Sequence, residues 1–118
     1  MIFELSKPPA LNRLYGNNRF GGKYLKAEGR KWQLEAITAI SAMDPVGWGS
    51  PLQMFVELYT CRHQDNDGIL KLLQDTLQKA GVYSDDYWIF DLRVVKYRVR
   101  KEEEKIVVKV SPQDPEDF

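Results

Sequence analysis

The sequence predicts an α+β fold in the order β-α-β-α-β-β, with two amphipathic helices on one face of a mainly antiparallel sheet. Three observations carry this reading. Apolar residues recur at helical spacing over Leu25–Met43 and Asp67–Ala80. They alternate at strand spacing over Leu52–Thr60 and again over Trp88–Arg100. A charged turn, Lys101–Lys105, then leads into Ile106–Val110, so the last two strands read as a hairpin.

Ile2 to Ser6 alternates weakly and reads as the first strand, which Pro8-Pro9 ends. Residues 10–23 are rich in Asn, Gly and Arg and read as a mobile loop, with Gly21-Gly22 removing side-chain constraint. In the first helix Trp32, Ala36, Ala39, Ile40 and Met43 form one stripe, and Asp44-Pro45 with Gly47-Trp48-Gly49 forms the turn after it. In the next strand Met54, Val56 and Leu58 face one way, and Gln53, Phe55, Glu57 and Tyr59 the other. The second helix presents Ile69, Leu70, Leu72, Leu73, Thr76, Leu77 and Ala80, with Asp67 read as its N-cap and Gly81 as its terminator. Trp88, Phe90, Leu92 and Val94 are expected on one face of the long strand, and Ile89, Val95, Tyr97 and Val99 on the other. Trp32, Trp88 and Phe90 thus read as packing residues. Residues 1–110 form one domain on this reading, and the acidic, proline-containing tail 111–118 reads as disordered.

A chain of 118 residues buries roughly two-thirds of its extended surface on folding, enough for one core without a structural metal or disulfide. No apolar run is long enough to span a bilayer, and the first residues lack the pattern of a signal peptide. The single cysteine, Cys61, has no internal partner, which points to a reducing cytoplasm. Zinc and thiol-protease chemistry are both unsupported around Cys61. There is no P-loop or dinucleotide fingerprint, so no nucleotide cofactor is expected.

Charge is unevenly spread. Residues 1–31 carry seven Lys or Arg against two Glu, whereas residues 32–92 carry three against nine acids. A basic arm beside an acidic centre suits a protein that grips a polyanion and sets carboxylates against it. It also fits ordinary surface charge. Arg13, Arg19, Lys23, Lys26, Arg30 and Lys31 are the candidate phosphate contacts, and Tyr15 and Phe20 the aromatic candidates beside them.

The acidic centre holds a constellation: Asp65 and Asp67 two apart at a strand-to-helix junction, Lys71 four residues on, and Asp86 beyond the helix. Two carboxylates 4 Å apart repel by about 4 kcal/mol at an effective dielectric of 20, so a clustered set needs a proton or a cation. Oxygen ligands of this kind suit Mg²⁺, with the ammonium of Lys71 free to stabilise charge on a phosphate oxygen. The same spacing also fits a helix cap with Lys71 as the i,i+4 partner of Asp67. A calcium loop fails in both registers, and His63, the only histidine, fits a general base or a solvated loop residue.

Taken together, Pro8-Pro9-Ala10-Leu11-Asn12-Arg13, Ala27-Glu28-Gly29, Asp65 through Lys71, Asp75, Lys79-Ala80-Gly81-Val82, Asp85-Asp86 and Arg93-Val94-Val95-Lys96 closely resemble the RusA-type Holliday junction resolvases. The resemblance spans roughly residues 5–100. It implies a Mg²⁺-dependent homodimeric endonuclease acting on four-way or branched DNA in recombination and repair, with no membrane role. By resemblance the metal-binding aspartates fall on Asp65, Asp67 and Asp86, expected to converge around one ion, and the essential lysine on Lys71, with Asp85 supporting. The chain departs from that family at Gly68, where Asn is usual, and at Trp88, where Gln is frequent. The rival reading is a non-catalytic branched-DNA-binding module.

Overall fold

A computed structural model describes residues 1–9, 15–17, 19, 21–61 and 66–113, with the backbone alone for Asn66 and Asp67. Its elements are β1 (Ile2–Leu5), β2 (Tyr15–Asn17), β3 (Lys23–Leu25), α1 (Ala27–Ser41), β4 (Leu52–Thr60), α2 (Asn66–Lys79), β5 (Ile89–Arg98) and β6 (Lys105–Pro112). The α+β class and both helices match the sequence reading. Among the described residues no helix is long and apolar enough to cross a membrane.

The main sheet has the order β1-β6-β4-β5. β6 runs antiparallel to both β1 and β4, while β4 and β5 are parallel. The expected β5–β6 hairpin is therefore absent, and β6 lies between β1 and β4. Burial explains this. Ile106, Val107, Val108 and Val110 are all buried, as a central strand requires, whereas much of β5 is exposed. The chain reaches the far side of β4 through a 3-10 turn at Lys101–Glu103. Glu104 then fastens that crossing to the end of β4. Its carboxylate accepts from Lys7 Nζ, from Cys61 N–H at 3.2 Å and from Thr60 Oγ1 at 3.4 Å.

Burial pushes the pKa of Glu104 up, but the bonds from Lys7 and Cys61 outweigh it and hold the carboxyl below its usual range. A depressed folded-state pKa contributes stability above the unfolded value, and that contribution fades as pH falls through the folded value. Glu104→Ala is expected to lower the unfolding free energy by about 2 kcal/mol in urea titrations at neutral pH. The difference from wild type should shrink on acidification. An unchanged difference at acid pH would show that the carboxylate's charge is not what holds the crossing.

One face of the sheet forms the core. Leu52, Met54, Val56 and Leu58 of β4 pack in one cluster with Trp32, Ala36 and Ile40 of α1 and Ile69, Leu72, Leu73 and Leu77 of α2. The buried face of α2 matches the reading, with Leu70 half-buried. The α1 stripe is shifted. Gly29, Trp32, Gln33, Ala36 and Ile40 are buried, whereas Ala39 is exposed and Met43 lies beyond the helix end. Gln33 is tolerated inside because its amide donates to Asp75 Oδ2 at 3.0 Å and Thr76 Oγ1 at 3.1 Å, tying α1 to α2. Trp32 packs as expected, its indole N–H donating to the Ser6 carbonyl at 2.8 Å.

Three local expectations are corrected. The segment read as a loop contains the β2–β3 hairpin, in which Gly16 lets the Tyr24 ring approach so closely that a Cβ would meet it at 2.6 Å. A register shift between Leu52 and Gln53 pairs Leu52 with Ile89 but Gln53 with Asp91. Ile89 thereby joins Leu92 and Val94 on the helix side, and Phe90 is left 58% exposed rather than packed. The tail begins later than expected, because Ser111 and Pro112 pair with β4. Residues 114–118 lie outside the described residues.

Candidate active site

The connector leaving β4 leads directly into α2, whose first turn contains the backbone of Asp67. Asp67 therefore stands inside the helix rather than at the expected N-cap. Lys71 is exposed one turn further along. Asp65, Arg13, Phe20, His63 and the side chain of Asp67 lie outside the described residues.

Asp86 opens a 3-10 turn, Asp86–Trp88, just ahead of β5. The turn is held from three sides. Asp85 Oδ1 accepts from Tyr87 N–H at 3.1 Å, Gln78 Oε1 accepts from Asp86 N–H at 3.2 Å, and the Trp88 indole N–H donates to Ser84 Oγ at 3.1 Å. Beneath it the buried Tyr83 hydroxyl donates to the Gln74 carbonyl at 2.7 Å. Trp88 is thus half-buried and hydrogen-bonded at the turn, not part of a regular strand stripe. Gln78 carried no signal in the sequence, since nothing distinguishes an anchoring glutamine from a solvated one.

The Asp86 carboxyl is exposed, yet its pKa is raised. The first cause is a hydrogen bond with the Asp85 carboxyl, followed by burial and by the charges of Asp85 and Asp75. Two adjacent carboxyls repel when both are charged, and a hard divalent cation beside them relieves that repulsion. The donor chemistry at Asp86 therefore fits Mg²⁺. Among the described residues, however, no three His, Cys, Asp or Glu side chains come together as a metal site.

Within one chain Asp86 stands apart from the start of α2. Gln78, which holds it, lies eleven residues beyond Asp67, about 16 Å along the helix at 1.5 Å per residue. The topology gives the same result. β4 and β5 are parallel, with Leu52 beside Ile89 and Thr60 beside Arg98, so α2 carries the chain back along β4. Lys71 and Asp67 belong to the Thr60 end of that unit and Asp86 to the Leu52 end. The structure does not bring these residues to one point in a single chain.

The basic arm is more coherent. Arg19, Lys23, Arg30 and Lys31 are exposed around the β2–β3 hairpin and the first turns of α1, with Lys26 half-buried at the junction. Tyr15 is partly buried against the core, and its pKa is raised by that burial and by the charge of Asp75. Tyr15 thus packs the arm against the body rather than presenting a free ring. The uncovered sheet face differs. Its cations are matched by acids: Lys109 with Glu57 at 3.0 Å, Lys105 with Glu4 at 3.3 Å and Arg93 with Asp91 at 3.3 Å.

Comparison with known proteins gives a match to the endodeoxyribonuclease RusA family over residues 7–111. The chain is 37% identical over 98 residues to a crossover junction endodeoxyribonuclease RusA of Shigella sonnei, covering 80% of each chain. It is 36% identical over 97 residues to the protein of the same name from Escherichia coli K12, again covering 80% of each. Similarity extends to a viral protein of that name, from Enterobacteria phage 82, at 35% identity over 97 residues.

Proposed function

Since the chain belongs to the endodeoxyribonuclease RusA family, we propose that it resolves four-way DNA junctions as a Mg²⁺-dependent homodimer, by paired phosphodiester hydrolysis in recombination and repair. The chain is an enzyme of the crossover junction endodeoxyribonuclease type. The reading is carried by one observation: the family match, residues 7–111, spans the basic arm and all of Asp65, Asp67, Lys71 and Asp86.

Asp65, Asp67 and Asp86 would hold the ion. When bound, Mg²⁺ supplies Lewis-acid polarisation of the scissile phosphate and activation of water. The opposite-end placement of Asp86 and α2's first turn supports a shared site, in which Asp65, Asp67 and Lys71 of one copy work with Asp86 of the other. Two-fold symmetry then gives two equal sites on a substrate that is itself nearly two-fold. The Lys71 ammonium stabilises negative charge building on a phosphate oxygen. Arg13, Arg19, Lys23, Lys26, Arg30 and Lys31 contact backbone phosphates and fix the junction's position without reading sequence.

A labelled synthetic junction tests the reading. Wild type with Mg²⁺ is expected to cut it. Asp67→Asn is expected to lose at least about 10²-fold in cleavage while binding within a few-fold of wild type. Binding by wild type with no cleavage in Mg²⁺ would instead establish a branched-DNA-binding module, and absence of binding would remove the nucleic-acid role.

A further inference from the structure

β5 ends the sheet. It is ten residues long, and among the described residues no strand pairs with its outer edge. The other edge strand, β1, has only four residues. Along β5 the side chains of Phe90, Leu92, Val95 and Tyr97 are 58%, 38%, 36% and 42% exposed. A long edge with exposed apolar side chains is a template for pairing with another strand.

The side chains of β5 identify which strand fits. When two copies of one strand pair antiparallel about an axis normal to the sheet, facing residues must lie on the same side of it. Leu92 and Val94 share the helix side with Met54 and Val56, while Asp91 and Arg93 share the open side with Gln53 and Phe55. An axis through Leu92 sets Leu92 against itself. On the open side it sets Asp91 against Arg93 of the second copy, twice over. Neighbouring registers lose this match. An axis through Arg93 opposes two guanidinium groups. One through Val94 sets Leu92 against Lys96, and one through Val95 sets it against Arg98. The Asp91–Arg93 contact within one strand, 3.3 Å with Arg93 72% exposed, is weak enough to exchange for the cross-copy pairs.

The same register has a consequence for the site. Antiparallel pairing lays the Ile89 end of one β5 beside the Arg98 end of the other. Asp86 precedes Ile89 by three residues, and Arg98 is the sheet neighbour of Thr60, from which the chain passes to α2. The turn bearing Asp86 then leads toward the α2 start of the second copy. We propose that two copies of this chain join through β5, antiparallel about a two-fold axis at Leu92, making one continuous eight-stranded sheet. This rests on the shared-site reading and specifies the surface that builds it.

Charge variants test the register in the full-length chain by sedimentation of differently tagged copies. Asp91→Arg and Arg93→Asp each place like charges across the axis, and each is expected to need at least tenfold more protein to dimerise. An equimolar mixture restores opposite charges across the axis, so mixed dimers are expected at the wild-type concentration. Within each variant strand the two charges remain alike, so recovery cannot come from the contact inside one chain. Both side chains are on the surface, and far-UV circular dichroism confirms folding. Dimerisation of the single variants at the wild-type midpoint, or a mixture that fails to recover, overturns the proposal. If the wild type is dimeric and the variants are unaffected, the interface lies elsewhere and the shared-site reading stands. A wild-type chain that stays monomeric overturns both.

Discussion

Equal parts of Asp86→Asn and Lys71→Ala chains, each inactive alone, should nick a labelled four-way junction once allowed to exchange partners. Each loss is expected to be large. Removing a ligand carboxylate costs at least about 10²-fold, and removing a charge-stabilising ammonium about 10²- to 10³-fold. The recovery follows from where the chain places these residues. Lys71 stands toward the start of α2, and Asp86 is held by Gln78 near the helix end. If each site draws Lys71 from one copy and Asp86 from the other, a mixed dimer has one site with both native residues and one with neither. Random exchange makes half the dimers mixed, so total nicking should return to about one quarter of wild type. The product is as telling as the rate. With one working site per dimer, singly nicked junctions accumulate and paired cuts do not. A site built within one chain gives no recovery, because every site then carries one defect. Asp86→Asn removes a charge whose neighbour Asp85 raises its pKa, so the variant relieves a repulsion rather than creating one.

Why the sequence reveals so much of α2 and so little of the strand order is a matter of what periodicity encodes. Ile69, Leu72, Leu73, Thr76 and Leu77 report a buried helical face because a helix returns to the same side about every 3.6 residues whatever it packs against. Alternation in β4 is equally local. Strand order is not local. It depends on which strand can be buried on both faces, and the signal was the unbroken run Ile106-Val107-Val108, which alternation alone undervalues. The crossing from β5 to β6 needed Glu104 to satisfy the end of β4, and a glutamate in a charged turn looks like any solvated residue until its partners Lys7, Thr60 and Cys61 are seen around it. The bulge that turns Phe90 outward likewise leaves no mark in composition. For the site, residue type and spacing pointed to Asp86, Asp67 and Lys71 as a chemical set, but a sequence cannot say which copy of the chain supplies which member. Chain direction is what supports the shared-site answer proposed above. A parallel β4–β5 pair with a helix between them puts the two ends of α2 at opposite ends of the unit.

Junction affinity is expected to fall about ten-thousand-fold between 50 and 300 mM salt. That is the lower limit set by the six phosphate contacts of one chain's arm, each contributing about −0.9 to the slope of log affinity against log salt, and a dimer seating both arms steepens it. The contacts are assigned to the basic arm because of how charge is distributed over the surface. Lys23, Arg30 and Lys31 are exposed in a segment that carries few acids, whereas Lys105, Lys109 and Arg93 on the open sheet face sit against Glu4, Glu57 and Asp91. A cation already neutralised by a neighbouring carboxylate displaces few counterions from DNA, so the open face should add little to the slope. Two variants separate the surfaces. Arg30→Gln with Lys31→Gln should flatten the slope by about 2 for each arm seated on the DNA and weaken binding evenly across junctions of different arm sequence. Lys109→Gln should leave the slope unchanged. If the open face carried the DNA, those outcomes would be reversed. Equal affinity of the wild type at both salt concentrations would remove electrostatic capture by the arm altogether.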